Sequence, residues 1–237
     1  MIDYQKITEN IIDWDYRISH KHNGKGGEII TLILKYLSFC GKETIWVCLI
    51  SFFLLIWYEP IYFSYIGMTF AFGILIIVPI KKKVNRIRPF KSSKKIEALE
   101  KEPTSGSFPS WHSYNVCSQA LMISFLSDSY SLAIILIILA ILISYSRIQL
   151  GVHFATDVVM GGIIGILGFI ITYTVLGPFI YEIITIFEKL ITFQIAYRTI
   201  NPLFTENIGY IIICIFIYSL IITPRLFDYI KDNLLKK

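Results

Sequence analysis

Long apolar blocks alternate with short polar interruptions along most of the chain. Residues 43–58, 61–80, 112–126, 132–145, 158–180 and 207–222 each read as a helix long enough, or nearly so, to cross a bilayer. Trp46, Trp57 and Tyr58 lie near the ends of the first block as an aromatic belt, and Glu59-Pro60 breaks it from the second. Asp128 to Ser131 forms a short turn between the third and fourth blocks. In the fifth, Gly161, Gly162, Gly165 and Gly168 predict a close approach by a neighbouring helix. Residues 28–40 are apolar but too short to span, since a hydrocarbon core needs about 20 helical residues, and are expected as an interfacial or half-buried helix. Residues 1–26 mix charge with Trp14 and Tyr16 and end in a Gly-rich break, the pattern of an arm at the water–lipid interface. The expected class is all-α, a polytopic membrane bundle of about six transmembrane helices. The boundaries predicted are 1–42 for the arm and short helix, 43–226 for the transmembrane domain and 227–237 for a polar tail. Residues 182–206, with Pro202, read as an amphipathic connector inside that domain.

Composition agrees with this pattern. Of 237 residues 55% are hydrophobic and only 16% charged, which argues against a soluble globular domain. Mean hydropathy is +0.63. The formal charge is +5, and a dense part of the excess lies between Lys81 and Lys101, pointing to an anionic partner at one membrane face rather than to nucleic acid. Cys40, Cys48, Cys117 and Cys214 are scattered, mostly in apolar runs, with neither disulfide nor zinc spacing. Residues 1–26 contain no apolar core of a cleavable signal peptide.

The chemistry concentrates in the segment SRIQLGVHFATD, residues 146–157. An Arg, a His and an Asp between two apolar blocks are costly near a bilayer and imply a use. His153 and Asp157 are four residues apart, which places them on one face if the segment is helical, with the carboxylate holding the imidazole in one tautomer. Arg147 adds a donor fork suited to phosphate. If crossings alternate, the end of the second span, the start of the third and the junction of the fourth and fifth face one aqueous boundary. Lys81, Arg88, Ser110, His112, Arg147, His153 and Asp157 then share one site. Duller readings stand beside this one. Lys81 to Lys83 also suit a juxtamembrane anchor for anionic headgroups. Pro109-Ser110 also suits a plain helix start with Ser as cap, and His153 a satisfied histidine near a helix start. A zinc site at His112, His153 and Asp157 lacks a third close ligand.

These residues carry a resemblance. Lys81 with Arg88-Pro89, then Pro109-Ser110-Trp111-His112, then Ser146-Arg147 with His153 and Asp157 resemble, in order and spacing, the three signature blocks of the type 2 phosphatidic acid phosphatase (PAP2) superfamily. That superfamily joins membrane lipid phosphatases to vanadium-dependent haloperoxidases, and the chain most resembles its small bacterial undecaprenyl-diphosphate phosphatases, apart from an extra span at the C-terminus. The resemblance implies a PAP2/haloperoxidase-like core and a metal-free, cofactor-free hydrolysis of a lipid phosphate or diphosphate. Its substrate would be a polyprenyl diphosphate, phosphatidic acid, phosphatidylglycerol phosphate or lipid A. By the resemblance His153 takes the phosphoryl group as a phosphohistidine, Asp157 orients it, and His112 protonates the leaving group and then activates water. Lys81, Arg88, Ser110, Trp111 and Arg147 bind the phosphate. A lipid phosphotransferase with the same site, and a catalytically silent lipid-binding or transport protein, are the alternatives. Trp111 stands where the family usually has Gly: if the backbone there needs positive φ the indole is strained, and if not it walls the pocket or anchors at the interface. The resemblance implies a bacterial inner-membrane protein with its site facing the periplasm or outside, whereas the clustered Lys and Arg would place that end in the cytoplasm.

Overall fold

A computed structural model of the chain describes residues 4–192 and 195–234. Its helices are, in order, α1 (Tyr4–His22), α2 (Gly27–Phe39), α3 (Glu43–Ser51), α4 (Pro60–Val84), α5 (Pro89–Ser92), α6 (Trp111–Ser127), α7 (Tyr130–Gln149), α8 (Ala155–Ile171), α9 (Gly177–Glu188), α10 (Pro202–Glu206) and α11 (Ile208–Leu234). π-Helical turns at Phe52–Ile56 and Thr172–Leu176 follow α3 and α8. The all-α expectation holds, with no β-strand among the described residues.

The expected count of six spans is not confirmed by length and composition. Among the described residues three helical stretches are long and apolar enough to cross a bilayer: Pro60–Ser92, Tyr130–Gln149 and Ala155–Glu188. A fourth is added if Gly27–Phe39 and Glu43–Ile56 form one interrupted span. Helix α6 has 17 residues and carries many polar side chains on its buried face, among them Ser113, Asn115, Ser118 and Gln119, so hydropathy alone does not mark it. The apolar part of α11, Ile208–Pro224, is likewise short.

The chain divides into two compact units, Met1–Gly41 with Phe72–Phe169, and Lys42–Ala71 with Ile170–Lys237. In the second, Thr69 and Thr172 share a buried hydrogen bond of 2.9 Å, and Arg198 pairs with the buried Glu59 at 2.6 Å. The first unit holds all three polar blocks. Helix α1 belongs to it, exposing Ile7, Ile11, Ile12 and Trp14 on one side while burying Asp15 and Ser19 completely.

Gly161, Gly165 and Gly168 of α8 act as the sequence predicts, and Gly162 does not. A Cβ on Gly161 would stand 2.4 Å from the Ser110 carbonyl oxygen, and one on Gly165 would stand 2.8 Å from that of Tyr114. Helix α8 thus lies directly on the backbone of α6. Gly73 of α4 makes room for the ring of the fully buried Tyr114, which a Cβ there would meet at 2.1 Å. Gly161→Ala is therefore expected to lower both thermal stability in detergent and activity, because the Ser110 carbonyl it would meet is backbone and cannot rotate away. Gly162→Ala, whose Cβ would meet only the Cys117 sulfur at an ordinary 3.5 Å, is expected to leave both near wild type.

Candidate active site

Lys81 sits in the last turn of α4 and Arg88 just beyond it. Lys81 Nζ donates to the Gly106 carbonyl at 2.9 Å. Arg88 Nη2 donates to the same oxygen at 3.2 Å, and its Nε donates to the Ser105 carbonyl at 2.8 Å. The close fit needs glycine at 106, where a Cβ would stand 3.1 Å from Asn85 Cα. Both cations rest here on neutral oxygens. Arg88 Nη1 also donates to the Val152 carbonyl at 2.8 Å and lies 3.2 Å from His153 Nε2.

Between α7 and α8 no continuous helix carries both His153 and Asp157. Helix α7 ends at Gln149, Gly151 adopts φ of 73°, and α8 begins at Ala155, so His153 precedes the helix that carries Asp157. Left-handed backbone is cheap for glycine, and here a Cβ would also meet the Glu97 carbonyl oxygen at 2.2 Å. The pairing survives by another route. Asp157 occupies the third position of α8, and its Oδ2 accepts from the Phe154 amide at 2.9 Å, as the acidic residue of a capping box does. The same Oδ2 faces His153 Nδ1 at 3.6 Å, close enough to pair electrostatically but beyond hydrogen-bond distance. Asp157 Oδ1 is held by Arg86 at 2.7 Å.

Arg147 is 2% exposed and closely engaged. Its Nη2 and Nη1 donate to the two carboxylate oxygens of Glu100 at 2.5 and 3.0 Å, and Nη1 also donates to Ser38 Oγ. Its Nε is buried with no hydrogen-bond partner among the described residues. Glu100→Ala would strand a buried cation and is expected to cost about 3 kcal/mol, read as a lower Tm in detergent.

Ser110 joins the second block to the third: its amide donates to the Asp157 carbonyl at 2.9 Å. Its side chain caps α6, accepting from the Ser113 amide at 3.3 Å and the Ser113 hydroxyl at 2.9 Å, as the plain helix-start reading proposed. Trp111 opens the helix with no positive φ, so the indole carries no backbone strain. Its ring stacks on Tyr114 with centroids 5.8 Å apart. His112 packs at Gly41, where a Cβ would meet its ring at 2.7 Å. The turn at Gly41 that follows α2 therefore bounds His112.

Lys81, Arg88, Ser110, Arg147, His153 and Asp157 thus form one connected cluster, with Trp111 and His112 directly after Ser110. Four participants escaped the sequence reading: Asp15, Arg86, Glu100 and Ser38. Only Arg86 left a trace, two residues before Arg88 in the same block. Among the described residues no three His, Cys, Asp or Glu side chains gather as a metal-binding group.

The electrostatics bear on His153. Burial first, then Arg88, Lys81 and Arg147, hold its pKa well below the ordinary histidine value, with the Ser107 backbone opposing. The native ring is therefore neutral where an unfolded histidine starts to protonate, so its contribution to stability is present above about pH 6.5 and is lost as pH falls. Ring nitrogen NMR of the substrate-free protein is expected to report a neutral His153 still at pH 6.

Comparisons with known proteins supply the family. The family model described as the PAP2 superfamily matches residues 61–181, and the chain belongs to that superfamily. It is a membrane-integral hydrolase of phosphoric esters, of the lipid-phosphatase type. An undecaprenyl-diphosphatase of Sulfolobus acidocaldarius is 32% identical over 144 residues, 58% of this chain and 68% of that one. In fold, the chain resembles LpxE of Aquifex aeolicus with a TM-score of 0.60 and 22% identity, over 66% of this chain and 93% of that one. It also resembles a PAP2-type phosphatidylglycerolphosphate phosphatase of Bacillus subtilis with a TM-score of 0.59 and 24% identity, over 78% and 90%.

Proposed function

We propose that the protein hydrolyses a lipid diphosphate, a polyprenyl diphosphate first among the candidates, through a phosphohistidine on His153. The single observation that carries this reading is the setting of that ring: Arg88 at Nε2, Asp157 behind Nδ1, and a surround that keeps the imidazole neutral. A neutral ring with its proton on Nδ1 presents the Nε2 lone pair as nucleophile. Arg88, now 3.2 Å from that nitrogen, would turn its donor to a phosphoryl oxygen when substrate enters.

In the first step the Nε2–P bond forms and the bond from phosphorus to the leaving oxygen breaks, with His112 giving that oxygen its proton. In the second, His112 takes a proton from water, the water oxygen bonds to phosphorus, and the Nε2–P bond breaks to release inorganic phosphate. Lys81, Arg88 and Arg147 stabilise charge on the equatorial oxygens, Arg147 through the Nε–H that Glu100 and Ser38 leave over. The capped Ser110 hydroxyl accepts twice and keeps its own O–H to donate. With three cations at the phosphate, the reaction needs no metal, and hydrolysis is expected to persist in EDTA.

The deciding experiment is phosphate release by purified protein from polyprenyl diphosphate, phosphatidic acid, phosphatidylglycerol phosphate and lipid A. Preference for the diphosphate supports the substrate proposed. Transfer of phosphorus to an acceptor lipid with no free phosphate would make the protein a transferase, and no turnover of any of the four would leave a lipid-binding role. An outward-facing site, tested by reaction of intact cells with an impermeant substrate, belongs to the same reading.

A further inference from the structure

Asp15, on α1, lies outside the stretch that matches the superfamily, yet it is fully buried at the start of α8. Its Oδ1 accepts from the Thr156 amide at 2.9 Å, and its Oδ2 accepts from the Thr156 hydroxyl. The same Oδ2 pairs with Arg86 Nη2 at 2.7 Å. Arg86 Nη1 then donates to Thr156 Oγ1 at 2.8 Å and to Asp157 Oδ1 at 2.7 Å. The guanidinium also lies 4.3 Å above the Phe154 ring, against which Tyr16 packs edge-on at 5.3 Å. One planar fork thus bridges two buried carboxylates, and every group in the chain is joined to a second by a directed contact.

We infer that Asp15 and Arg86 are positioning residues for the hydrolysis, by which the N-terminal helix sets the carboxylate of Asp157 against His153. The physical reason lies in the sharing of the Asp157 oxygens. Oδ1 is held by Arg86 and Oδ2 by the Phe154 amide, so the carboxylate plane cannot rotate, and Oδ2 stays turned toward His153 Nδ1. Arg86 alone has several rotamers open to it. Asp15 removes that freedom, because a fork bound at both prongs has one orientation. An Asn at 15 would keep the size and the contact to Thr156 but lose the charge-assisted bond to Arg86. Asp157 would then share an unfixed partner, and the proton of His153 would no longer be confined to Nδ1.

The inference rests on Asp157 acting on His153 as proposed above, and the test separates the two. Asp15→Asn and Arg86→Lys are each expected to lower kcat roughly 10- to 100-fold with KM nearly unchanged, since reacting groups are misplaced while the phosphate clamp is intact. Asp15→Glu, which keeps the charge, is expected to recover part of the loss. Ring nitrogen NMR of His153 in the folded, monodisperse fraction is expected to move from a pure Nδ1–H form in the wild type to a mixture of tautomers in both variants. If Asp15→Asn does not fold, Arg86→Lys, which preserves the charge but not the fork, carries the same readouts. A fall in kcat with His153 still purely Nδ1–H would make the cluster a structural clasp and overturn the inference. So would a change confined to KM, or kcat left at the wild-type value. Full activity in His153→Ala would instead sink the mechanism and leave the tautomer result to be judged by itself.

Discussion

His153→Ala is expected to lose phosphate release by roughly 10⁴-fold or more, the scale on which removal of a covalent nucleophile acts. In the proposed mechanism the other groups at the phosphate have different tasks, His112 as acid and base and Ser110 as a hydrogen-bond donor. Arg88 and Arg147 are cations, and Lys81 donates to the Gly106 carbonyl. The substitution removes a ring that is 2% exposed, so some stability is lost as well, and folding has to be checked by monodispersity before the rate is read. Acid-labile, base-stable labelling of the wild type by substrate carrying labelled phosphorus, absent in the variant, is the direct measurement. An active His153→Ala protein would end the phosphohistidine reading.

Asp157→Asn should be the second most damaging change, with kcat lowered about 10²- to 10⁴-fold. A serine triad sets the upper end of that range, through the wrong tautomer of its histidine. The effect here should fall short of it, because Oδ2 stands 3.6 Å from Nδ1 before substrate arrives. Three consequences add in one direction. An amide nitrogen facing Nδ1 would favour the proton on Nε2 and block the attacking lone pair. The same nitrogen, standing in place of Oδ2, could no longer accept from the Phe154 N–H, which loosens the start of α8. Finally, Arg86 would lose its charge-assisted bond to Oδ1 and keep the Asp15 carboxylate and Thr156 Oγ1 as its firm partners, so the fork holds position 157 less tightly. A rate within threefold of wild type would show that Asp157 serves the fold alone.

Much of the site was legible because its chemistry travels in short ordered blocks. The Lys81–Arg88, Ser110–His112 and Arg147–Asp157 spacings need no tertiary knowledge, and alternation of spans was enough to put them at one boundary. The capping role of Ser110 and the close approach of Gly161 were also local, since one depends on the next three residues and the other on the absence of a side chain. What escaped was set by partners far away in sequence. Arg86 and Asp15 are 71 residues apart, and Arg147 and Glu100 are 47 apart. Neither acid stands out in its polar segment from other Asp and Glu residues that face water. Length and hydropathy mark fewer spans than the six expected because α6 buries its hydroxyls and amides against protein, so its hydropathy is low for an interior helix.

The sequence by itself determined that this is a helical membrane protein and which ordered blocks carry the candidate phosphate chemistry, because apolar runs and block spacing are properties of neighbouring residues. Only the tertiary structure decided how His153 meets Asp157, through a glycine-permitted turn and a capping box instead of a continuous helix face. It also decided that Arg147 is shared with Glu100 and that α1 brings Asp15 to Arg86. Burial makes each of those charges dependent on a specific partner, and which partner arrives is settled by packing.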